Sequence, residues 1–169
     1  TAGVSRSRWP WCGSRGTSVA ASFAKNTSAR VVALADLFAD QLAAGKAHFD
    51  GINAGLGLPA IDPKLMFRGS HAYEELANSK DVDAVQISTP PWFHVQHLDA
   101  VVRAGKHAYC EKPLGVDVAQ AEQALEIGKR AEGRLSLDVG FEVRSAPPIA
   151  EVVRRIHAGD IGKVAAITE

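Results

Sequence analysis

The sequence has little of what marks specialised classes of protein. Its 169 residues contain two cysteines, Cys12 and Cys110, too few for the disulfide framework of a small secreted domain. No apolar run approaches the roughly 20 residues that a membrane-spanning helix needs. Nineteen basic residues balance nineteen acidic ones, so no excess charge attracts nucleic acid or an anionic membrane. We therefore expect a globular protein with neither of these partners, and the isolated thiols favour the reducing cytoplasm.

What is present is an alternation of two hydrophobic patterns. Short apolar runs that are typical of buried strands alternate with stretches in which apolar residues recur at helical spacing. A hydrophobic fraction of 46% is enough for a sizeable core. Strands that are buried on both faces and joined by helices form parallel sheets with right-handed crossovers. The sequence therefore predicts an α/β fold with a Rossmann-like, doubly wound parallel sheet.

The predicted elements follow one another closely along the chain. The pattern predicts strands over 30–36, 65–67, 84–88, 107–110 and 134–139. It predicts helices over 13–25, 38–48, 72–79, 92–104, 117–131 and 147–158. The Gly- and Pro-rich stretch 49–64 is expected to be a loop. The last helix carries an apolar face that we expect to point inward, formed by Ile149, Val152, Val153 and Ile156.

A partial dinucleotide-binding motif opens the first predicted helix. The motif consists of Gly13, Ser14, Arg15 and Gly16. Glycines let the backbone approach a pyrophosphate, and the helix N-terminus stabilises its charge. Asp36 ends the next strand, 20 residues after Gly16, where a carboxylate accepts hydrogen bonds from the adenosine ribose. The same carboxylate would repel a 2′-phosphate, and the following Leu37 and Phe38 supply no cation, so the pattern favours NAD over NADP.

The residues before this motif do not fit it. Trp11 occupies the first glycine position, and 5–10 contain two arginines and Pro10 where a central strand is expected. Burying either arginine without a partner would cost several kcal/mol. Two explanations stay open: residues 1–11 are foreign to the domain, or the protein has lost cofactor binding. The first is favoured, because everything from Cys12 onward is locally consistent with a working fold.

Polar residues also occupy the turns, here called corners, that follow the third and fourth predicted strands: Thr89-Pro90 with His94, and Glu111-Lys112-Pro113. With these corners, the chain resembles the Gfo/Idh/MocA family of nicotinamide-dependent oxidoreductases over about residues 12–169. Gly159 to Lys163 resembles the stretch where such proteins enter their second domain. The residues that carry the resemblance are Gly13 to Gly16, Asp36, Thr89-Pro90 with His94, Ala104-Gly105-Lys106-His107 and Glu111-Lys112-Pro113.

The resemblance implies roles for the residues of these corners. Thr89 and Pro90 would line the ribose and nicotinamide side of the cofactor, and His94 would lie near the same edge. Glu111 would contact a cofactor ribose or brace the loop. Lys112 would be the catalytic residue of this domain, because a lysine beside a cationic nicotinamide could relay the proton of the reacting hydroxyl. The peptide bond that follows this lysine is often cis in the family.

The resemblance also implies a division into domains. Residues 1–11 form the atypical N-terminal segment, 12–143 the dinucleotide-binding domain, and 144–169 the beginning of a truncated substrate and oligomerisation domain. The family's usual acid/base histidine and a nearby aspartate lie in that second domain. We therefore expect the chain to be inactive alone and its parent protein to be a homo-oligomer that assembles through the missing part.

The expected function is hydride transfer between NAD and a hydroxyl of a sugar, cyclitol or similar polyol. One alternative is an NAD-dependent glycosidase that acts through transient oxidation. Another is a degenerate, non-enzymatic nucleotide-binding or scaffold protein, which Pro10 and Trp11 support. No metal is expected, since His94 and His97 at i and i+3 lack a completing carboxylate or cysteine. A cytoplasmic location is favoured, and an exported parent stays open because relatives exported with their cofactor exist.

Overall fold

A computed structural model describes residues 15–141, 143 and 146–168 of the chain. The predicted contributions of Cys12, Gly13, Ser14 and the 1–11 segment lie outside the described residues. The chain divides after Val139 into two units, with Gly140–Glu169 as the second. The predicted domain boundary at 143 lies close to this division.

Strands and helices alternate throughout the first unit. Its helices are α1 (Arg15–Asn26), α2 (Ala39–Gly55), α3 (Ala72–Asn78), α4 (His94–Arg103) and α5 (Val118–Ala131). Its strands are β1 (Leu34–Asp36), β2 (Met66–Arg68), β3 (Ala84–Ile87), β4 (His107–Glu111) and β5 (Leu137–Gly140), the last of which reaches the division between the units. Short 3₁₀ turns precede β2 (Pro63–Leu65) and α4 (Pro91–Phe93).

The described strands form two groups, and the pairs with assigned register are parallel. β1 runs parallel to β2, with Asp36 opposite Arg68. β3 runs parallel to β4, with Ile87 opposite Cys110, and β5 lies on the other side of β4. In the dinucleotide-binding strand order, the chain's first strand stands between two such groups. The residues before Arg15, which would supply that strand, lie outside the described range. The alternation of helices with parallel strands agrees with the predicted Rossmann-like fold, which is confirmed.

Two apolar clusters hold these layers together. The larger packs β3 and β4 against α3, α4 and α5, with Val85, Val101 and Cys110 almost fully buried. The smaller joins α1 and α2 to β1 around Phe49 and Leu34. Burying a side chain of this size contributes roughly 1.5–3 kcal/mol to the stability of the fold. The packed core therefore holds in place the strand ends that carry the polar residues.

The predicted C-terminus of α4 and N-terminus of α5 are confirmed to within one residue, whereas α4 begins two residues later than predicted, after a 3₁₀ turn. Gly105 follows α4 with a φ of 73°, in the left-handed region that glycine adopts without strain. The N–H of Gly105 donates to the carbonyl of Val102, and the N–H of Lys106 donates to that of Val101, the pairing of a Schellman motif. At the start of α5, a carboxylate oxygen of Asp117 accepts a 2.8 Å hydrogen bond from the backbone N–H of Gln120.

Helix α2 is longer than its sequence predicts. The expectation of a loop from residue 49 is wrong up to Gly55, because tertiary contacts outweigh the poor helix propensity of the two glycines in this stretch. Phe49 is fully buried in the smaller cluster. One turn later, Asn53 donates from Nδ2 to the carbonyls of Val31 and Pro59, each at 3.2 Å. These contacts hold the last turns of α2 against the segment before β1 and against the segment that follows the helix.

In the second unit, α6 spans Pro147–Ala158 as predicted and ends at Gly159, which has a φ of 90°. The expectation that its apolar face points inward is wrong for three of its four residues: Ile149, Val152 and Val153 are each more than two-fifths exposed. Ile156, the fourth, is partly buried. The sequence pattern identifies the amphipathic helix but not the burial of its apolar residues.

We predict that Asn53→Ala destabilises the fold, because it strips two carbonyls of their donor in a buried position. The expected loss is about 1–3 kcal/mol of unfolding free energy, measured by urea denaturation. Asn78→Ala is the matched control, since Asn78 is exposed and its Nδ2 donates only to the carbonyl of Glu74 in the same helix. Equal losses in the two variants would contradict this account of α2.

Candidate functional site

Three strand ends meet at one edge of the first unit. Asp36 at the end of β1 and Thr89 after β3 line the same cavity. The ring of His94 connects the carbonyl of Thr89 to that of Pro113, which follows β4. Since the carboxyl ends of parallel strands in such sheets form the ligand crevice, this edge is the candidate functional site.

The carboxylate of Asp36 is buried and held at the cavity wall. The residue is 2% exposed, and Oδ1 accepts a 3.0 Å hydrogen bond from the backbone N–H of Phe38. Its backbone carbonyl accepts another from the N–H of Gly69. Both bonds hold the end of β1, so the position of the carboxylate is set by the backbone around it.

The cavity beside Asp36 has a volume of about 280 Å³ and a largely apolar lining. Three rings build part of its wall. Tyr73 and His97 stack with centroids 4.1 Å apart and planes 20° apart, and Phe93 lies 5.9 Å from His97 on a nearly parallel plane. The three stacked rings give this part of the cavity a rigid aromatic lining that suits an apolar, flat ligand group.

His97 contributes to this wall as a neutral ring. Burial, reinforced by the neighbouring His94, lowers the pKa of His97 from 6.5 to about 4, against a smaller opposing effect of Glu74. At neutral pH the imidazole therefore carries no charge and behaves as an aromatic surface.

The hydroxyl of Thr89 is an unsatisfied polar group in the wall of the cavity, and Oε1 of Gln86, away from the cavity, is a second one among the described residues of the site. Thr89 lines the cavity, and its Oγ1 has no hydrogen-bond partner among the described residues, although the atom is buried. A buried polar atom without a partner costs about 1–3 kcal/mol, so such groups call for an explanation. A ligand that offers hydroxyl or phosphate oxygens to this edge satisfies it, and a dinucleotide offers both.

The start of α1 is anchored from the strands behind it. Gln86, buried in β3, donates from Nε2 to the carbonyl of Gly16 at 3.0 Å and to Oγ of Ser88 at 2.8 Å. Arg15 Nε donates to Oε1 of Glu111 at the end of β4, at 3.1 Å. The helix N-terminus, where the glycine motif predicts a pyrophosphate, is thereby tied to the same edge as the other corners.

Lys112 is the exposed member of the group. It follows Glu111 directly at the end of β4, and the peptide bond from Lys112 to Pro113 is cis. Its ammonium forms no hydrogen bond or ion pair with any residue that the structure describes. The side chain is therefore exposed and unpaired, among the described residues, directly after the end of β4.

The structure gathers most of the predicted site residues at this edge. Those described there are Arg15, Gly16, Asp36, Thr89, Pro90, His94, Glu111 and Lys112. The carboxylate of Glu111 is paired with Arg15, and both ring nitrogens of His94 contact backbone carbonyls. The sequence analysis does not identify Gln86 or the ring wall, although a glutamine inside a buried strand is a signal that it has a polar partner.

Two further findings concern only the described part of the chain. None of its helices combines the length and the hydropathy that crossing a bilayer requires. Nor do its His, Cys, Asp and Glu side chains form any group of three that could hold a metal ion.

This geometry agrees with the chain's similarity to known proteins. Residues 12–139 match the family described as oxidoreductases with an NAD-binding Rossmann fold. An inositol 2-dehydrogenase of Rhizobium meliloti (strain 1021) is 33% identical over 143 residues, which cover 85% of this chain and 38% of that protein.

Two solved structures share the fold. The scyllo-inositol dehydrogenase of Lactobacillus casei, with bound NAD(H) and scyllo-inositol, has a TM-score of 0.72 and 23% identity, covering 96% of this chain and 43% of that one. KijD10, a 3-ketoreductase of Actinomadura kijaniata in complex with NADP, has a TM-score of 0.70 and 26% identity, covering 96% and 45%. The chain spans less than half the length of each of these relatives.

We predict that Arg15 and Glu111 are energetically coupled. A double-mutant cycle of Arg15→Leu and Glu111→Gln should give about 1 kcal/mol, because one partner is buried while the other, 40% exposed, is partly screened. The control cycle is the exposed pair Glu126 and Lys129 on α5, where a few tenths of a kcal/mol are expected. Equal coupling energies would contradict a bracing role for Arg15.

We predict that His97 makes the protein less stable as the pH falls from 6.5 towards 4. Between these pH values His97 becomes protonated in the unfolded chain but stays neutral in the folded chain. The free energy of unfolding therefore decreases by up to about 1.4 kcal/mol per pH unit. His97→Phe keeps an aromatic ring and removes the proton uptake. At pH 8 its stability relative to wild type reports packing alone.

Urea denaturation at pH 8, 6 and 5 measures the effect. The variant should gain on the wild type at the lower pH values. A stability difference that stays constant with pH would show that His97 titrates alike in both states.

Proposed function

Because the chain belongs to the Gfo/Idh/MocA family of oxidoreductases, with its NAD-binding Rossmann fold, we propose that it is the dinucleotide-binding half of a dehydrogenase. The reaction is hydride transfer between NAD and a hydroxyl of a sugar, cyclitol or related polyol. The observation that carries the proposal is the pairing, in one cavity, of the buried Asp36 carboxylate with the unpartnered hydroxyl of Thr89.

The described residues suit the adenosine half of the cofactor. Asp36 would accept hydrogen bonds from the adenosine ribose, and the cavity beside it would take the adenine against the ring wall of Tyr73, His97 and Phe93. Gly16, at the start of α1, would face the pyrophosphate together with the predicted Gly13 and Ser14, and Arg15 would add a cation there. Thr89 and Pro90 would line the middle of the crevice.

NAD is proposed over NADP on Asp36 itself and on the residues that follow it along the chain. A 2′-phosphate would bring a second negative charge to a buried carboxylate. Leu37, next along the chain, is apolar and exposed, and supplies no compensating cation. The solved relatives hold both forms of the cofactor, so the choice rests on these side chains.

Lys112 is proposed as the catalytic residue of this half. When bound, NAD supplies the redox chemistry, since its nicotinamide accepts or returns the hydride. The exposed ammonium at the end of β4 would hydrogen-bond the substrate hydroxyl and relay its proton. Glu111, braced by Arg15, would keep the backbone before Lys112 in place.

The rest of the activity is proposed to lie outside this chain. The chain covers 38% of the inositol 2-dehydrogenase that it resembles. A second domain would supply the acid/base histidine, the substrate wall and the homo-oligomer interface, so the chain alone would bind NAD and turn nothing over. The location that we propose is the cytoplasm.

We predict that the chain binds NAD and that Asp36→Ala weakens this binding about tenfold, the loss of roughly one charged hydrogen bond. Isothermal titration with NAD and with NADP measures both affinities, and the preference for NAD should shrink in the variant. Asp40→Ala, an exposed carboxylate in the first turn of α2, is the control and should bind NAD like wild type.

The outcomes separate the competing functions. Absence of NAD binding in wild type, together with binding after Trp11→Gly and restoration of an apolar first strand, would indicate a damaged enzyme. Absence in both would support a non-enzymatic scaffold. If NAD binds and the complete enzyme releases sugar without net reduction of added NAD, the glycosidase replaces the dehydrogenase.

A further inference from the structure

The ring of His94 is enclosed and doubly connected. The residue is 1% exposed, at the first position of α4. Its Nε2 lies 2.7 Å from the carbonyl oxygen of Thr89, and its Nδ1 lies 2.7 Å from that of Pro113. One side chain therefore touches the backbone that follows β3 and the backbone that follows β4.

The identity of the two partners restricts the state of the ring. A carbonyl oxygen can only accept a hydrogen bond, and a neutral imidazole has a single N–H to donate. Both contacts are hydrogen bonds only when both ring nitrogens carry a proton. The 2.7 Å separations lie at the short end of N–H···O distances, as bonds from a cationic donor do.

The charged and titratable groups nearest to the ring along the chain lie on β4 and α4. On β4, the carboxylate of Glu111 lies two residues before Pro113 and is paired with Arg15 from α1. Lys112, between them, is exposed. On α4 itself, His97 is the other titratable ring, and burial lowers its pKa to about 4, so it adds no positive charge at pH 7.

We propose that His94 is a positioning residue that, as an imidazolium, ties the corner after β3 to the corner after β4. This inference rests on the function proposed above, because the tie sets the distance between the Thr89 cavity wall and Lys112. It also changes the predicted role of His94. With its ring enclosed and both nitrogens used inside the protein, His94 acts on the cofactor crevice through Thr89 and Pro113.

The chemistry of the tie explains why a histidine suits this position. The two nitrogens of an imidazolium point to opposite sides of a rigid ring, so one residue reaches two separate carbonyls. An asparagine or glutamine amide has donors on one nitrogen only. The neighbours Val95 and Leu98 are buried in the larger cluster, which holds α4 and hence the ring in place.

The decisive experiment observes the ring in the wild-type chain without any cofactor. Nitrogen-15 NMR at pH 7 should show both ring nitrogens of His94 protonated, with two N–H protons that exchange slowly with water. A single ring N–H, the mark of a neutral tautomer, would overturn the tie. This result does not depend on NAD binding, so it stands or falls separately from the proposed function.

Three variants test the two halves of the tie. His94→Gln places an amide N–H near the position of Nε2, and His94→Asn places one near that of Nδ1. The carbonyl carbon shift of Pro113 should therefore move in His94→Gln while that of Thr89 is retained, and the reverse should hold in His94→Asn. His94→Phe should move both. If the three variants move both carbonyl shifts alike, His94 only fills space.

The link to function is measured by titrating NAD into the same variants. His94→Phe should bind NAD about tenfold more weakly than wild type, with the two amide variants in between. Wild-type affinity in His94→Phe, in a variant that is folded by its NMR spectrum, would show that the tie does not serve the crevice.

Discussion

The parallel pairing of β3 with β4 is the constraint on which the site depends. It brings the residues after both strands to the same edge, close enough for one ring at the start of α4 to touch both backbones. An antiparallel pairing would place the corner of Thr89 and the corner of Lys112 at opposite edges. Because parallel strands require a crossover connection, α4 is both the link between β3 and β4 and the carrier of His94.

The edge concentrates polar groups that are costly to bury. Asp36, Thr89, His94 and Glu111 are all less than a tenth exposed, each at or just beyond the end of a strand or at the start of a helix. Three of them have partners in the protein, which offsets the cost of removing them from water. The hydroxyl of Thr89 has none among the described residues. Bonds within the protein thus hold most of the site in place, and the hydroxyl of Thr89 lines the cavity, where a ligand would satisfy it.

Local signals explain which parts could be predicted from the sequence. Asp117 and Gly105 lie at helix ends and form bonds to residues three positions away, so the end of α4 and the start of α5 follow from local sequence. The end of α2 could not be predicted, because Asn53 is held by residues outside the helix. The same applies to the site. The motif identifies the corners of Asp36 and Thr89, but the ring wall depends on α3 meeting α4.

The organisation of this edge bears on the unusual start of the chain. A buried carboxylate and an unpartnered hydroxyl at one cavity wall are groups that a bound ligand would use, and the hydroxyl costs stability while it has no partner. The start of α1 is also fixed by Gln86 of β3 and Glu111 of β4, which are remote from residues 1–11 in the sequence. The described edge therefore keeps the parts of a binding site. That favours the explanation in which 1–11 are foreign to the domain over the loss of cofactor binding.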